Sequence, residues 1–339
     1  MKAAIFDAVG KPLRISDVPD PKPGADEVVL RVAACGICGS DLHITEDPKP
    51  FGISGGFVLG HEIAGEVVTT GSAVTTLKRG DKVAVVPMRG CGHCARCKAG
   101  DPGRCAEMVL IGGGYAEYVA VAARQCRILP EGVSVADGAL AEPLSVALHC
   151  IIRSGMKVGD RVAILGAGPI GLLVAFWARR MGASHVVMAD IHDHQEERAR
   201  ALGATGFALS GDRLAEKLAD LCGGAPDIVF ECVGKKGLLQ AAAEAVRLQG
   251  KVIGVGLCVG GDEWDPFIAL SKEIDLIFSV FFHQGNEFGV ALDALAGGAR
   301  FAPQAIITDR IGLSPVPQVF DGLRRRTTQC KVLIQPGHF

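Results

Sequence analysis

The apolar positions of this chain follow two rhythms. From residue 1 to about 125 they come in short stretches, such as Val28-Val29-Leu30-Arg31-Val32, Glu66-Val67-Val68 and Lys82-Val83-Ala84-Val85-Val86, separated by Gly24, Gly71 and Gly80-Asp81. Brief apolar runs bounded by turn residues predict strands, and a series of them predicts a β-rich domain. The Ala/Leu-rich stretch from Asp137 to Arg153 predicts a helix. The second rhythm begins at Arg161. Val162-Ala163-Ile164-Leu165 has the continuous apolar character of a fully buried strand. Ile170 to Met181 predicts a helix ending at Gly182, a residue suited to a left-handed cap. The strand His185 to Asp190 follows, then a charged helix from Glu196 to Leu202 stopped by Gly203. Further strands are predicted at Asp227 to Glu231, Lys251 to Val255 and Ile274 to Val280, most of them separated by helical segments. Strands alternating with helices predict a parallel, doubly wound sheet, so the fold class is α/β. Near Phe288 the pattern becomes mixed again, as if the chain rejoined its first domain.

A length of 339 residues predicts about two domains, and 49% apolar against 21% charged residues excludes a disordered chain. The net charge of −2 offers no basic surface for nucleic acid. The 45 glycines predict many tight turns. The N-terminal residues Met1 to Asp7 contain no apolar signal core. The longest uncharged apolar run, Val162 to Ala178, is interrupted by Gly166, Gly168, Pro169 and Gly171, and reads as a turn rather than a membrane span. A cytoplasmic protein is expected.

Gly166-Ala167-Gly168-Pro169-Ile170-Gly171 is a G-x-G-x-x-G between a predicted buried strand and a predicted helix. Asp190 stands 19 residues after Gly171, at the end of the next strand. That context is the dinucleotide-binding fingerprint. The first glycine permits the turn, the second admits the pyrophosphate, and the third lets the helix pack closely. Asp190 can accept hydrogen bonds from ribose hydroxyls and would repel a 2′-phosphate. No Arg or Lys follows it in Ile191-His192-Asp193-His194, so NAD is expected rather than NADP.

There are 12 cysteines, and four of them form Cys91-x₂-Cys94-x₂-Cys97-x₇-Cys105. Clustered cysteines in a reducing compartment point to metal before disulfide. An iron–sulfur run of the bacterial ferredoxin type would close with three residues and a proline. Here the last gap is seven and Ala106 follows, so a structural zinc with four thiolates and no open position is expected. His93 lies within this lobe and is expected at its surface. Two further segments carry metal-ligating residue types: Cys35-Gly36-Ile37-Cys38-Gly39-Ser40-Asp41-Leu42-His43 and Gly60-His61-Glu62. Their spacing alone does not join them.

Taken in order, these segments, the cysteine lobe, Glu142-Pro143-Leu144-Ser145 and the glycine turn resemble the zinc-dependent medium-chain alcohol and polyol dehydrogenases, of the sorbitol/threonine/butanediol branch. The resemblance spans essentially the whole chain. It implies a GroES-like catalytic domain over residues 1–150, with a structural zinc lobe at about 88–106. A Rossmann NAD-binding domain would follow over 151–286, and a return to the catalytic domain over 287–339. It implies two zinc ions per chain. Cys38 and His61 would bind the catalytic one, with Glu62 a ligand or near neighbour. Glu142 occupies the position where the alcohol dehydrogenases proper place a second cysteine, and would bind directly or through water. Asp41 would hold His61 as an outer acceptor, and Cys35 is read as a core thiol. Dinucleotide contacts are implied at Gly166, Gly168, Pro169, Ile170, Gly171, Asp190, Gly256, Leu257 and Phe281.

The activity implied is hydride transfer from a secondary alcohol, diol or polyol to NAD⁺. Zinc would lower the pKa of the alcohol so that an alkoxide can pass its hydride. Ser40 would take the proton and His43 release it. Polyol-type relatives carry an Arg-Tyr pair after the last Rossmann strand, whereas this chain reads Phe281-Phe282-His283-Gln284. With Phe282 at the arginine position, a less polar secondary alcohol or diol is expected. The alternatives are a threonine- or idonate-type dehydrogenase and a non-catalytic, zinc-stabilised NAD-binding redox sensor. The expected partners are a small-molecule alcohol and a second copy of the chain, as homodimer or homotetramer, with neither nucleic acid nor membrane.

Overall fold

A computed structural model describes residues 1–297, 301–325 and 327–337. The chain forms two compact units. The first comprises Met1–Glu142, His283–Gly297 and the chain from Ile307 onward; the second comprises Pro143–Phe282 with a short segment ending at Ile306. The first passage between them falls inside a helix, Ala141–Ser154, which a 3₁₀ turn at Asp137–Leu140 precedes.

The first unit is built on a seven-stranded sheet. Its central strand, Glu27–Gly36, is buried over nearly its whole length and pairs antiparallel with Glu62–Thr70, so that Gly36 lies opposite Glu62. On its other side, the C-terminal strand Lys331–Ile334 sets Leu333 against Gly36 and Ile334 against Cys35. Three segments far apart in sequence thus converge at one end of one strand. Backbone pairing aligns them, and burial of Leu30, Val32, Ile63, Val83, Tyr115, Phe320 and Val332 supplies the drive. Each such side chain contributes about 1.5–3 kcal/mol when fully buried. A Cβ at Gly36 would lie 1.8 Å from Glu62 Oε2, so a larger residue here would have to displace the Glu62 carboxylate. The short strands Met88–Arg89 and Val109–Leu110 pair antiparallel and form the root of the four-cysteine lobe.

The second unit is a six-stranded sheet, parallel throughout. Its spatial order is Gly206–Leu209, His185–Asp190, Arg161–Leu165, Ile228–Glu231, Lys251–Gly254, Asp275–Phe278. Numbered along the chain, that is 3-2-1-4-5-6, the doubly wound order whose crevice lies at the carboxyl ends of the first and fourth strands. The helix Pro169–Arg180 starts with proline in its first turn and packs its apolar face on the sheet. Its Trp177 indole donates to the Leu144 carbonyl at 2.9 Å, so the buried ring leaves no polar atom unpaired. The strands and helices predicted from the apolar pattern are present, most with ends shifted by a residue or two as termini fray. The helix predicted from Asp137, however, opens as a 3₁₀ turn and becomes α-helical only at Ala141, and the strand around Glu66–Val68 starts four residues earlier, at Glu62.

Candidate active site and metal centres

Cys38 sits at the N-terminus of the helix Gly39–Glu46, directly after the central strand. His61 precedes the strand Glu62–Thr70. The antiparallel register of these strands joins the two segments that sequence spacing left apart. One donor atom each of Cys38, His61 and Glu62 lie within 4.8 Å of one another. Around them is a buried shell. The Asp41 carboxylate accepts the Cys38 backbone N–H at 3.0 Å and the Tyr115 hydroxyl at 2.6 Å, and stands 3.6 Å from His61 Nδ1. Burial opposes its charge, yet His61, Tyr115 and the Cys38 amide together hold Asp41 below the usual carboxylate range. With Nδ1 turned to Asp41, His61 keeps its other nitrogen for a metal, the usual arrangement of a ligating imidazole.

Glu62 has a partner that the sequence reading missed. Lys331 Nζ donates to both Glu62 oxygens, at 2.7 and 2.8 Å, and to the Ile37 carbonyl at 2.9 Å. Both side chains are about 1–2% exposed. Burial disfavours the ammonium, but Glu62 more than compensates and raises the Lys331 pKa. Glu142 is also buried, and desolvation pushes its carboxyl up to about 7 against the pull of nearby His61. It stands outside the tight set of three donor atoms. A thiolate, an imidazole and a carboxylate drawn this close together fit zinc, a borderline-soft ion bound by all three donor types. Ser40 and His43 lie three residues apart on the same helix, so they share a face. His43 is partly exposed, and its Nδ1 is 3.7 Å from Glu46.

The four-cysteine lobe is built differently. The Sγ atoms of Cys91, Cys94, Cys97 and Cys105 all lie within 4.8 Å of one another. Local backbone amides supply the surrounding donors: Cys91 and Glu107 donate to Cys105 Sγ, Cys94 to Cys91 Sγ, and Cys97 to Cys94 Sγ, at 3.4–3.5 Å. These bonds favour thiolate. The backbone amides of His93 and Cys94 draw Cys91 down to about 6, whereas desolvation and its neighbours push Cys97 up to about 12. Four thiols crowded this closely fit a tetrahedral zinc that would deprotonate them together. His93 is exposed, as expected, with Nδ1 3.2 Å from the Cys91 carbonyl.

In the second unit, Gly166 has φ +100°, and a Cβ there would lie 2.5 Å from Val233. A Cβ at Gly171 would lie 2.0 Å from the Gly166 carbonyl oxygen. Gly168, by contrast, faces open space, with nothing within 4 Å of where its Cβ would be. The turn is therefore tight on its protein side and open where a pyrophosphate would approach the helix N-terminus. Asp190 accepts the Ala167 N–H at 2.7 Å and the His192 N–H at 3.0 Å, one on each oxygen. A carboxylate has about four acceptor positions, which leaves capacity for two ribose hydroxyls. At the next strand ends, Gly256 would clash with Gly234 if it bore a Cβ, Leu257 is exposed, and Phe281 is held at φ +58°.

Residues 24–131 match the alcohol dehydrogenase GroES-like domain, and residues 169–297 the zinc-binding dehydrogenase domain. A sorbitol dehydrogenase of Bacillus subtilis is 32% identical, covering 99% of this chain and 98% of its own length. The chain belongs to the zinc-binding alcohol dehydrogenase family. Solved structures agree. The 2R,3R-butanediol dehydrogenase of Bacillus subtilis superposes with a TM-score of 0.89 at 30% identity, over 99% of both chains. A Sinorhizobium meliloti protein bound to NADP superposes with a TM-score of 0.90 at 33% identity, also over 99% of both chains. The protein is thus a zinc-dependent oxidoreductase of alcohols and polyols using a nicotinamide dinucleotide.

Phe282 was expected to face the substrate in place of an arginine. It is fully buried, at 0% exposure, whereas a side chain lining a ligand-free pocket would meet solvent. It is a core residue and gives no reason to expect an apolar substrate. Lys331 could have been suspected from one signal, a lone lysine opening the otherwise apolar strand Lys331-Val332-Leu333-Ile334. Tyr115 carried no signal, because its partner Asp41 is 74 residues away. No helix among the described residues is long and apolar enough to cross a membrane.

Proposed function

We propose that Cys38 and His61, completed by Glu62 or by Glu142, hold the zinc that activates the alcohol, and that the Cys91–Cys105 set holds a structural zinc. The observation that carries this reading is the Cys38–His61–Glu62 donor set, half-buried at Cys38 and buried at His61 and Glu62, with Asp41 and Lys331 beside it. When bound, zinc acts as a Lewis acid on the alcohol oxygen, and the dinucleotide accepts the hydride. The chain's own residues do the rest. Asp41 orients the His61 ring. Lys331 holds the Glu62 carboxylate by both oxygens. Ser40 relays the alcohol proton, giving up its own hydroxyl proton as it accepts, and His43, on the same helix face and partly exposed, takes up the relayed proton and releases it to water.

Asp190 favours NAD, since a 2′-phosphate would meet its charge. Sorbitol and 2,3-butanediol, named in two relatives, share a secondary alcohol beside a second hydroxyl. The substrate proposed here has that feature. The second unit supports self-association: Asp275–Phe278 is an edge strand, Phe278 and Val280 are exposed, and so are Phe267 and Leu270 of the helix that precedes it. An apolar sheet edge invites pairing, so a homodimer or homotetramer is proposed. Twelve cysteines, none in a disulfide, suit a reducing cytoplasm.

The test is reduction of NAD⁺ and NADP⁺ by the zinc-loaded protein with sorbitol, 2,3-butanediol and 2-butanol. Diol and polyol should exceed 2-butanol by about tenfold in kcat/KM, the worth of one well-placed hydrogen bond, and NAD⁺ should be preferred. Equal use of 2-butanol would remove the second hydroxyl from the argument; preference for NADP⁺ would remove Asp190.

A further inference from the structure

We propose that Tyr115 is a positioning residue for the zinc site: its hydroxyl locks the Asp41 carboxylate, and its ring locks the loop that carries His61. This rests on the reading of Cys38 and His61 as zinc ligands. Tyr115 is 0% exposed, so its hydroxyl is shielded from water and needs a protein partner. That partner is Asp41 Oδ2 at 2.6 Å, the oxygen that also accepts the Cys38 N–H. The other oxygen, Oδ1, is left to face His61 Nδ1. One carboxylate therefore ties together Tyr115, the backbone of one proposed ligand and the side chain of another.

A second, independent observation concerns Gly60, the residue before His61. It has φ +90°, and a Cβ there would lie 2.4 Å from the Tyr115 ring and 2.8 Å from Cys35 Sγ. The glycine leaves room for the ring to pass directly beneath the His61 loop. The backbone repeats the contact: Gly114 donates to the Gly60 carbonyl at 3.0 Å, and Tyr115 to the Leu59 carbonyl at 3.1 Å. Loop 113–115 thus clamps loop 58–61 by backbone, ring and hydroxyl. A phenylalanine would satisfy the packing but not Asp41. Loss of the hydroxyl would free the carboxylate to rotate away from His61.

The experiment measures zinc release to a chromogenic chelator from the intact protein, with zinc content counted before and after. Wild type should hold two zinc ions per chain. Tyr115→Phe should release one of them about tenfold faster, the lower end of the effect of removing an outer partner of a metal ligand. The four-cysteine zinc should be unaffected and the melting temperature little changed. Asp41→Asn, which keeps an acceptor for the hydroxyl but removes the charge facing His61, should quicken the same release. It carries the test should Tyr115→Phe not fold. If Tyr115→Phe releases zinc as wild type does, or (should it not fold) if Asp41→Asn does so, or if both zinc ions leave faster together with a fall in melting temperature, Tyr115 is only a packing residue and the proposal is overturned. If wild type holds a single zinc, it is the ligand reading itself that fails.

Discussion

The two proposed metal centres of this chain differ in how their donor residues are brought together. The four-cysteine lobe draws all its ligands from residues 91–105, and its Sγ atoms accept hydrogen bonds from backbone amides of the same loop. The Cys38–His61–Glu62 site draws on two strands and a helix start, and leans on Tyr115 and Lys331 from farther along the chain. The first can form wherever the loop can close. The second exists only if the seven-stranded sheet has the right register. A closed thiolate site suits a structural ion; a mixed, buried set with outer-shell carboxylates suits an ion that must do chemistry.

Substitutions should separate the two. The largest effect is expected from Cys97→Ser. Structural zinc binding in small domains amounts to about 10–16 kcal/mol of apparent free energy. The variant should therefore lose one zinc and lose the lobe's protection from proteolysis, while molecules that remain folded keep the other zinc. Loss of both ions would show that the sites are not independent. Cys38→Ser should do the reverse: kcat/KM falls by about 10³-fold or more, corresponding to roughly 4 kcal/mol of lost Lewis-acid stabilisation. Its melting temperature and lobe zinc should be retained, and activity within tenfold of wild type would refute the assignment.

Lys331→Met tests the strand register that the second site depends on. It leaves Glu62 buried without its cation, a loss of about 3–5 kcal/mol in denaturant unfolding. Adding Glu62→Gln should recover part of that loss. No recovery would mean that the lysine acts through packing alone. The smallest effect is expected at Asp227, in the second unit, which marks the scale of an ordinary charged contact. It accepts from the Arg161 amide at 2.8 Å and from Arg247 Nε at 2.6 Å. Although burial raises its pKa, these partners outweigh it and hold the carboxyl below the usual range. Its stabilisation is therefore present above about pH 4, the unfolded value, and is lost as pH falls through the lower folded value. Asp227→Asn should cost about 1 kcal/mol near pH 7, after allowance for solvent screening, and should flatten the fall in stability below pH 4.

Local features of the chain were legible without the fold. Spacing alone pointed to the cysteine lobe, because a tetrahedral S₄ site needs only that the intervening loop be short and flexible. The glycine turn and Asp190 were legible because strand, turn and helix are contiguous, and the steric demands of Gly166 and Gly171 are met within that unit. The Cys38 and His61 segments were visible as residue types, but nothing in their spacing joined them without the family resemblance. Phe282 shows the limit from the other side: its place in the chain suggests a substrate-facing residue, whereas the fold buries its side chain completely.

What the sequence determined by itself is whatever depends on neighbours along the chain: the alternation of strands and helices, the dinucleotide turn, and the closed thiolate set. What only the tertiary structure decided is whatever depends on register between distant strands. Gly36 opposite Glu62, with Lys331 reaching across from the C-terminal strand, and Tyr115 beneath Gly60, are consequences of backbone pairing in the central sheet. Pairing acts between segments far apart in sequence, and successive side chains point to opposite faces, so a one-residue slip would turn each to the other face. That is why the buried shell of the proposed zinc site could not be read from the order of residues.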